Sequence, residues 1–474
     1  MASSEVRAPS VAPPARRHPW AALALVTVPS VVGVVAVAAR PVSDPAAWLH
    51  VRLGQVLREG WLFAGPDPLS SATAKPFVAT TWAGDLLGSF AYDAMGTGGV
   101  ALMQATVMVV LSALFVASAR SVADTVPAVI AAFVGLLGCL DLGARPLAAG
   151  IVLSMVCVIG WRRAAVSGRP PWWLIPFGWA WACVHPTWVV GPLVGAVTIL
   201  GLALDGRMPA HQRGRLAAVA VLSGLAAAAT PVGPRLLQTP LDVFPAAGAA
   251  IAGWRLVDVT NLGAVAVGGA TLLLAAAMLR GGVRPAGWKL AHGGLAMLLC
   301  LTVNRAVPIA ACLVVPLVAE ALQARRGVPA LPVRSLERRW YAAGTVVALA
   351  ASACLAIPLG RLSRDPVAGL SANLAQLPAG TVVLDHPDAS GWPLLTQPRL
   401  RLVMDTRAEL YDPDYVERYL AALRAQPGWD DFVDQTRATS ALLPVEAPLA
   451  TALTERRGWH LVQTANGMVL LVAP

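Results

Sequence analysis

A few carboxylate and imidazole side chains in this chain have the type and placement to do chemistry. Asp44 follows the first long apolar run closely, and His50 and Asp67 lie in the same polar segment. A carboxylate can act as a general base or bind a divalent cation, and an imidazole can transfer a proton. The candidate catalytic residues are therefore Asp44, Asp67 and His50. Because each aspartate adjoins proline, simple turn formation is the alternative for both.

Later turns between apolar runs add a second group of candidates: His185, Arg145, Arg235, Arg255 and Arg305. Arginine can bind phosphate through two parallel hydrogen bonds, so this group is predicted to bind an anionic substrate. The alternative is that these arginines extend to lipid headgroups or pair with local acids, and that the histidines anchor the membrane interface. If the protein uses a divalent cation, Asp44 and Asp67 are the candidate ligands; metal dependence stays open.

The segments that position these residues are predicted to lie in a membrane. Of 474 residues, 57% are hydrophobic and only 13% are charged, whereas soluble domains carry about 25% charged residues. The net charge of +10 comes from basic residues spread between apolar runs, which argues against a nucleic-acid partner. The six cysteines lie inside apolar runs without zinc-ligand spacing, so neither a disulfide framework nor a zinc site is indicated.

Eleven charge-poor runs predict an all-α polytopic membrane domain with about eleven transmembrane helices. They are 21–39, 100–119, 126–140, 147–161, 172–184, 187–204, 216–229, 262–279, 290–303, 306–319 and 341–358. Several are shorter than the roughly 20 residues that cross a bilayer, which predicts polar flanks at membrane depth around a cavity. A cleaved signal peptide is the alternative for the first run, but its length and the later runs favour a membrane helix.

The distribution of basic residues predicts the orientation of the chain. With the N-terminus in the cytoplasm and the sides alternating, cytoplasmic segments hold 18 Lys and Arg residues and the opposite loops hold eight. Cytoplasmic loops of membrane proteins carry such an excess. We therefore expect a multi-pass protein of the plasma membrane with a cytoplasmic N-terminus and an extracytoplasmic C-terminus.

Three regions are predicted along the chain. Residues 1–18 read as a disordered cytoplasmic tail, and residues 19–360 as the transmembrane domain with a large first external loop at 40–98. Residues 361–474 are predicted to form a small extracytoplasmic α/β domain. Its strand-like runs and helical patterns alternate, at 381–384, 400–404, 413–424, 447–457 and 468–472.

The first external loop resembles that of GT-C-type glycosyltransferases, particularly a bacterial group with weak similarity to oligosaccharyltransferase catalytic subunits and to mannosyl- and arabinosyltransferases. The matching segments are Asp44-Pro-Ala-Ala-Trp-Leu-His50, Gly65-Pro-Asp67-Pro-Leu-Ser70 and Thr81-Trp82. Shorter matches follow at Arg145-Pro146, at His185 and at Asn304-Arg305. In the tail, Val403-Met-Asp405-Thr-Arg407-Ala-Glu-Leu-Tyr411 resembles a recurring element of the same group.

This resemblance implies transfer of a sugar, with inversion, from a polyprenyl-phosphate carrier to an envelope glycan or protein acceptor outside the membrane. Asp44 matches the position of the catalytic base. Many GT-C enzymes have an adjacent pair of acids there, whereas Ser43 and Pro45 flank Asp44 in this chain. Asp67 is then the candidate for the second acid. The departure leaves open both metal dependence and a member that has lost catalysis.

Two other function classes stay open. One is a transporter or flippase for an envelope lipid or glycan, and the other is a noncatalytic envelope assembly factor whose tail binds a partner. The apolar runs contain few ionisable or strongly polar residues, chiefly His292 and Gln104. Ion-coupled transporters place such groups near the bilayer midplane, so their scarcity disfavours a pump. Asp405 and Arg407 are expected to form a local ion pair.

Overall fold

The computed structural model describes residues 44–70, 72–206, 208–239, 260–280, 285–302, 304–362 and 365–474. The predicted tail at 1–18, the first apolar run at 21–39 and Arg255 lie outside these residues. Within them the chain is mostly helical, with a small β-sheet near the C-terminus.

Two helices and a short hairpin precede the first described apolar helix. Helix α1 covers Pro45–Gly60 and helix α2 covers Trp82–Met95, and strands β1 (Ala64–Gly65) and β2 (Phe77–Val78) pair antiparallel between them. Helix α1 begins at Asp44, whose side chain accepts a hydrogen bond from a backbone N–H of the first turn. A proline at the first helical position suits this start. The candidate base is therefore also a helix cap.

Ten further α-helices follow in the described residues before the C-terminal region. They are α3 Thr97–Arg120, α4 Thr125–Leu137, α5 Pro146–Ser167, α6 Leu174–Val184, α7 Val190–Leu204, α8 Ala210–Leu225, α9 Leu262–Arg280, α10 Gly287–Thr302, α11 Val307–Ala324 and α12 Ser335–Leu362. Each of the ten predicted apolar runs in the described residues coincides largely with one of these helices.

Among the described residues, five helical segments are long and apolar enough to cross a membrane: Thr97–Arg120, Pro146–Ser167, Pro186–Leu204, Asn304–Ala324 and Ser335–Leu362. Three other apolar helices are shorter. The helical, membrane-type architecture is thus confirmed, and the count of eleven crossings stays a prediction.

Burial shows which helix lies at the centre of this bundle. In Asn304–Ala324, 83% of the most apolar window is buried inside the protein, against 22% in Ser335–Leu362. Helix α11 packs against α4, α5, α9 and α10, whereas α12 packs mainly along α3. The central helix therefore follows directly after Arg305, one of the candidate site residues.

A mixed five-stranded sheet forms the core of the C-terminal region. Its strands are β3 (Val382–Asp385), β4 (Arg401–Leu402), β5 (Ser440–Pro444), β6 (His460–Ala465) and β7 (Met468–Val472), in the order β4-β3-β5-β7-β6. Strand β3 is parallel to β4 and β5, and β7 is antiparallel to β5 and β6. The helices are α13 Ser371–Leu374, α14 Gly391–Thr396, α15 Pro413–Leu423, α16 Trp429–Thr436 and α17 Pro448–Arg457.

The predicted α/β character of this region is confirmed, with two strands added. Strands β3, β4 and β7 and helices α15 and α17 fall on the predicted runs. Strand β5 is buried along nearly its whole length, as expected of a strand covered on both faces. Strand β6 is mostly exposed, so its sequence carries little of the apolar signal that predicts strands.

The C-terminal region packs closely on helix α1. The indole N–H of Trp48 donates to Asp365 at 2.8 Å, and the rings of Trp48 and Trp392 meet edge to face with centroids 5.1 Å apart. At Gly391 an added Cβ would lie 1.8 Å from the Pro45 carbonyl oxygen. Only glycine allows this approach, which brings α14 against the start of α1 and hence close to Asp44.

Candidate functional site

A cavity of about 600 Å³ lies between the apolar helices and the C-terminal sheet. Its membrane side is lined by the start of α1, the turn before α5 and the turn before α11, and its other side by loops of the C-terminal region. The polar residues on the membrane side are Asp141, Arg145, Asn261, Asn304 and Arg305. The structure thus brings Arg145 and Arg305 to one cavity, which the first residues of α1 also line.

Asp44 and Arg145 form an ion pair at this cavity. The Arg145 Nε–H donates to one carboxylate oxygen of Asp44, and the side chains are 27% and 12% exposed. The pair occupies a tight space, because an added Cβ at Gly143 would lie 2.0 Å from the same carboxylate oxygen. The Asp44 carboxylate is therefore fixed by a helix cap, an arginine and a glycine.

Arg305 extends the charged cluster toward the C-terminal region. Its guanidinium is close enough to Arg145, Asp44 and Glu409 for their charges to interact. Burial raises the pKa of the Glu409 carboxyl above its ordinary value, while Arg407 and Arg305 act in the opposite direction. Arg145 and Arg305, which come from different turns, are thus close to each other, with Asp44 and Glu409 as the nearby acidic groups. Such paired cations suit an anionic ligand such as a phosphate.

His185 lies beside these arginines in its neutral form. Burial, the nearby His50 and the charges of Arg305 and Arg145 lower the pKa of His185 to about 3. Its Nδ1 accepts the backbone N–H of Thr187 at 3.1 Å. Because Nδ1 is the acceptor, the proton of the neutral ring lies on Nε2. His185 is therefore a neutral hydrogen-bond donor at the cationic end of the site.

His50 is held by a carboxylate that sequence reasoning did not include among the site residues. Its Nδ1 lies 2.7 Å from an Asp85 oxygen, and the other Asp85 oxygen accepts the Thr81 hydroxyl at 2.8 Å. Asp85 is almost fully buried between α1 and α2. His50 is one of the groups that lower the pKa of His185, so the two imidazoles lie within electrostatic reach of each other. Asp85 therefore orients His50, as a carboxylate orients an imidazole in many catalytic sites.

Asp67 binds an arginine of the C-terminal region. Its two oxygens accept hydrogen bonds from the two terminal nitrogens of Arg407, each at 2.9 Å, and its side chain is fully buried. Arg407 also binds Asp405 at 2.5 Å, which confirms the local ion pair expected there. Burial lowers the pKa of Arg407, but Asp405 and Asp67 outweigh it and hold that pKa above its ordinary value. Asp67 thus ties the segment between α1 and α2 to the sheet region.

The remaining predicted site residues lie elsewhere. Arg235 is exposed in the short helical turn Gly233–Leu237 and does not line the cavity. Arg255 lies outside the described residues. The structure thus pairs Asp44 with Arg145 and places His185 within electrostatic reach of His50, Arg145 and Arg305. Of these five residues, only Arg145 and Arg305 line the cavity.

The predicted metal ligands do not form a site for a cation. Asp44 is bound to Arg145 and Asp67 to Arg407, so each carboxylate has a guanidinium partner. Within the ranges that the structure describes, no three His, Cys, Asp or Glu side chains are arranged to hold a metal ion. Metal dependence stays a prediction, and the chemistry proposed below uses no metal ion.

Sequence reasoning missed several residues that complete the site: Gly143, Asp85, Glu409, and the cavity residues His386, Asp388 and Glu446. Gly143 lies two residues before Arg145 in a turn, and Asp85 lies 35 residues after His50. A carboxylate in the first turn of a helix, here α2, is the one local signal that marks Asp85. The others carry no local pattern that separates them from surface residues.

Comparison with known proteins supports the fold. A structure of the Archaeoglobus fulgidus oligosaccharyltransferase in the apo form matches with TM-score 0.57 and 12% identity, over 91% of this chain and 70% of that one. Its complex with zinc and sulfate matches with TM-score 0.56 and 14% identity, over 89% and 68%. A form tethered to an acceptor peptide with an NVT sequon gives TM-score 0.56 and 12% identity, over 90% and 69%. No family model and no curated protein matches.

The chain therefore has a fold similar to that of the Archaeoglobus fulgidus oligosaccharyltransferase. The likeness covers about nine tenths of the chain, so it includes both the apolar helices and the sheet region. At this level of identity it establishes the arrangement of the elements alone.

Proposed function

We propose that this protein is a membrane glycosyltransferase, which moves a sugar from a polyprenyl-phosphate-linked donor to an envelope acceptor on the extracytoplasmic face of the plasma membrane. The observation that carries the proposal is the Asp44–Arg145 ion pair at the membrane side of a cavity that also reaches the C-terminal sheet. A carboxylate lies there beside a guanidinium, the group that binds phosphate through two parallel hydrogen bonds. The similar fold of an oligosaccharyltransferase supports it.

In the proposed reaction the Asp44 carboxylate accepts the proton of the acceptor's nucleophilic group. That group forms a bond to the anomeric carbon of the sugar, while the bond from this carbon to the phosphate oxygen breaks. The bonding electrons leave with the polyprenyl phosphate, and the anomeric configuration inverts. General base catalysis of this kind contributes a factor of about 10² to 10⁴ to the rate.

Arg145 and Arg305 are proposed to hold the phosphate and to stabilise its charge as the sugar leaves. Arginine carries five N–H donors, and the contact of Arg145 Nε with Asp44 uses one of them. His185 and His50 are proposed to donate hydrogen bonds to the substrate at the same end, with His50 oriented by Asp85. We assign Asp67 a structural role, because Arg407 binds both of its oxygens.

Purified protein in lipid vesicles, supplied with polyprenyl-phosphate hexoses and pentoses and with a membrane extract as acceptor, tests this function. We expect Asp44→Asn to lower sugar transfer at least about 100-fold, since it removes a general base. Asp93→Asn is the matched control, because Asp93 is an exposed acid of the same external segment that pairs with Arg58. It should transfer sugar like the unmodified protein.

Full sugar transfer by Asp44→Asn would overturn the assignment of the base. If the labelled lipid moves across the vesicle membrane and no glycosidic bond is made or broken, the protein is a transporter and not a transferase. An assembly factor would lose function on removal of residues 365–474 and keep it with Asp44→Asn.

A further inference from the structure

The carboxyl ends of three parallel strands form the outer wall of the cavity. Segments 386–388, 404–406 and 444–448 line it, and they follow β3, β4 and β5. Strand β3 lies between β4 and β5. The next strand along the chain, β4, therefore lies on one side of β3, and the strand after it, β5, lies on the other side. Ligands of open α/β sheets bind outside the carboxyl ends of the strands at such a switch point. We call this surface the strand-end wall.

The strand-end wall offers both hydrogen-bond donors and acceptors. Its polar side chains outside the Asp405–Arg407 ion pair are His386, Asp388, Thr406 and Glu446, and Arg424, which follows α15, lines the cavity beside them. Carboxylates accept hydrogen bonds, guanidinium groups donate them, and a hydroxyl does both. This mixture matches a ligand that itself carries several groups able to donate and accept.

His386 is a donor of fixed orientation in this wall. Its Nδ1 accepts the backbone N–H of Asp388 at 3.2 Å, so the proton of the neutral ring lies on Nε2. Burial lowers the pKa of His386, and the nearby Asp388 carboxylate, 3.6 Å from Nδ1, opposes that change. A neutral N–H donor thus lies beside an exposed carboxylate.

The charges of the strand-end wall differ from those of the membrane side. Asp388 and Glu446 are exposed carboxylates, and Arg424 is an exposed cation, while Asp405 is already bound by Arg407. This wall disfavours a phosphate, which suits Arg145 and Arg305 instead. Neutral hydroxyl groups gain from carboxylate acceptors, because O–H···O⁻ hydrogen bonds are short and strong.

We propose that the strand-end wall binds a neutral saccharide, whose neighbouring hydroxyls are held by Asp388, Glu446 and His386. Its identity as the acceptor rests on the function proposed above. The cavity joins this wall to Arg145, the ion-pair partner of Asp44, so a saccharide bound here lies on the side of the proposed base. The wall consists of strand ends, so a peptide cannot bind there as an added strand, and the tetrapeptide below tests the other modes of peptide binding.

Saturation-transfer NMR on the full-length protein in lipid nanodiscs tests the site. The probes are methyl mannopyranoside, methyl glucopyranoside and methyl arabinofuranoside, with a lysine-containing tetrapeptide and inorganic phosphate for comparison. We expect at least one glycoside to bind, and its Kd to rise about tenfold in the Asp388→Asn, Glu446→Gln double variant through loss of charge-assisted hydrogen bonds. Both side chains are exposed, so the fold should persist.

Glu455→Gln is the matched control, an exposed acid on α17 that does not line the cavity, and it should bind the glycoside unchanged. The proposal is overturned if no glycoside binds, if the double variant binds as well as the unmodified protein, or if the tetrapeptide or phosphate competes at these residues instead.

The same experiment separates this proposal from the transferase. Asp44→Asn should keep glycoside binding while losing transfer. If Asp44→Asn keeps full transfer and the double variant loses glycoside binding, the proposed base is overturned and the saccharide site stands. If Asp44→Asn loses transfer but the double variant binds the glycoside as well as the unmodified protein, the proposed base stands and only the saccharide site is overturned.

Discussion

At the scale of single residues, a glycine determines where the Asp44 carboxylate lies. Gly143 lies so close to this carboxylate that an added Cβ would lie 2.0 Å from one Asp44 oxygen and 3.4 Å from Arg145 Nε. Aspartate has a short side chain with little freedom to retreat, and here it also caps α1. Any side chain at position 143 must therefore displace the ion pair.

We predict that Gly143→Ala lowers sugar transfer about 100-fold, because a shift of about 1 Å in a reacting group can cost that much. Protein yield and melting temperature should change little. The control is Gly214→Ala in α8, where an added Cβ meets nothing within 4 Å. Transfer rates of both variants in vesicles provide the measurement. Equal rates for Gly143→Ala and Gly214→Ala would show that the position of Asp44 is irrelevant to transfer.

At the scale of elements, the segment between α1 and α2 is joined to the sheet region by a buried ion cluster. Arg407 binds Asp67 across 340 residues of chain and binds Asp405 beside it. Backbone contacts add to this connection, since the Ala74 and Lys75 N–H groups both donate to the Leu410 carbonyl at 2.8 and 3.0 Å. Removing one member of a buried cluster leaves the others charged and unpaired.

Arg407→Gln is accordingly predicted to destabilise the protein by about 3–5 kcal/mol, as expected when a buried ion pair loses one partner. Differential scanning fluorimetry should show a lower melting temperature, and limited proteolysis should cut residues 61–81 faster. Arg457→Gln is the control, because Arg457 pairs with the exposed Asp430 and Asp434, and exposed pairs contribute little. A melting temperature as high for Arg407→Gln as for Arg457→Gln would contradict the structural role assigned to Asp67.

The elements themselves were largely predictable. Long charge-poor runs can satisfy their backbone only as helices in a membrane, so ten runs became ten helices. Residue patterns also located β3, β4 and β7 and the helices α15 and α17. Strand β6 was not predictable, because its exposed residues follow neither period, and its place in the sheet depends on pairing with β7.

At the scale of the whole molecule, charged residues separate into two groups. The predicted cytoplasmic residues contact one another, since Arg120 binds Glu337 at 2.6 Å and Arg326 lies 3.4 Å from Asp124. The predicted external Arg145 and Arg305 instead line the cavity beneath the sheet region. This separation agrees with the excess of basic residues that predicted a cytoplasmic N-terminus.

Cysteine labelling in cells should then reveal the orientation. We predict that a membrane-impermeant maleimide labels Glu455→Cys in intact cells and labels Arg334→Cys only after the membrane is permeabilised. Both positions are exposed, and five of the six native cysteines are buried, so background labelling should be low. Labelling of Arg334→Cys in intact cells, with Glu455→Cys protected, would reverse the orientation.

The sequence by itself determined the membrane architecture and pointed to Asp44, because composition and the position of a carboxylate after an apolar run are local properties. Only the tertiary structure decided the partners: Arg145 for Asp44, Asp85 for His50 and Arg407 for Asp67. These partners lie 101, 35 and 340 residues away. Pairing at such separations depends on how helices and sheet pack in space, which no local pattern of residues encodes.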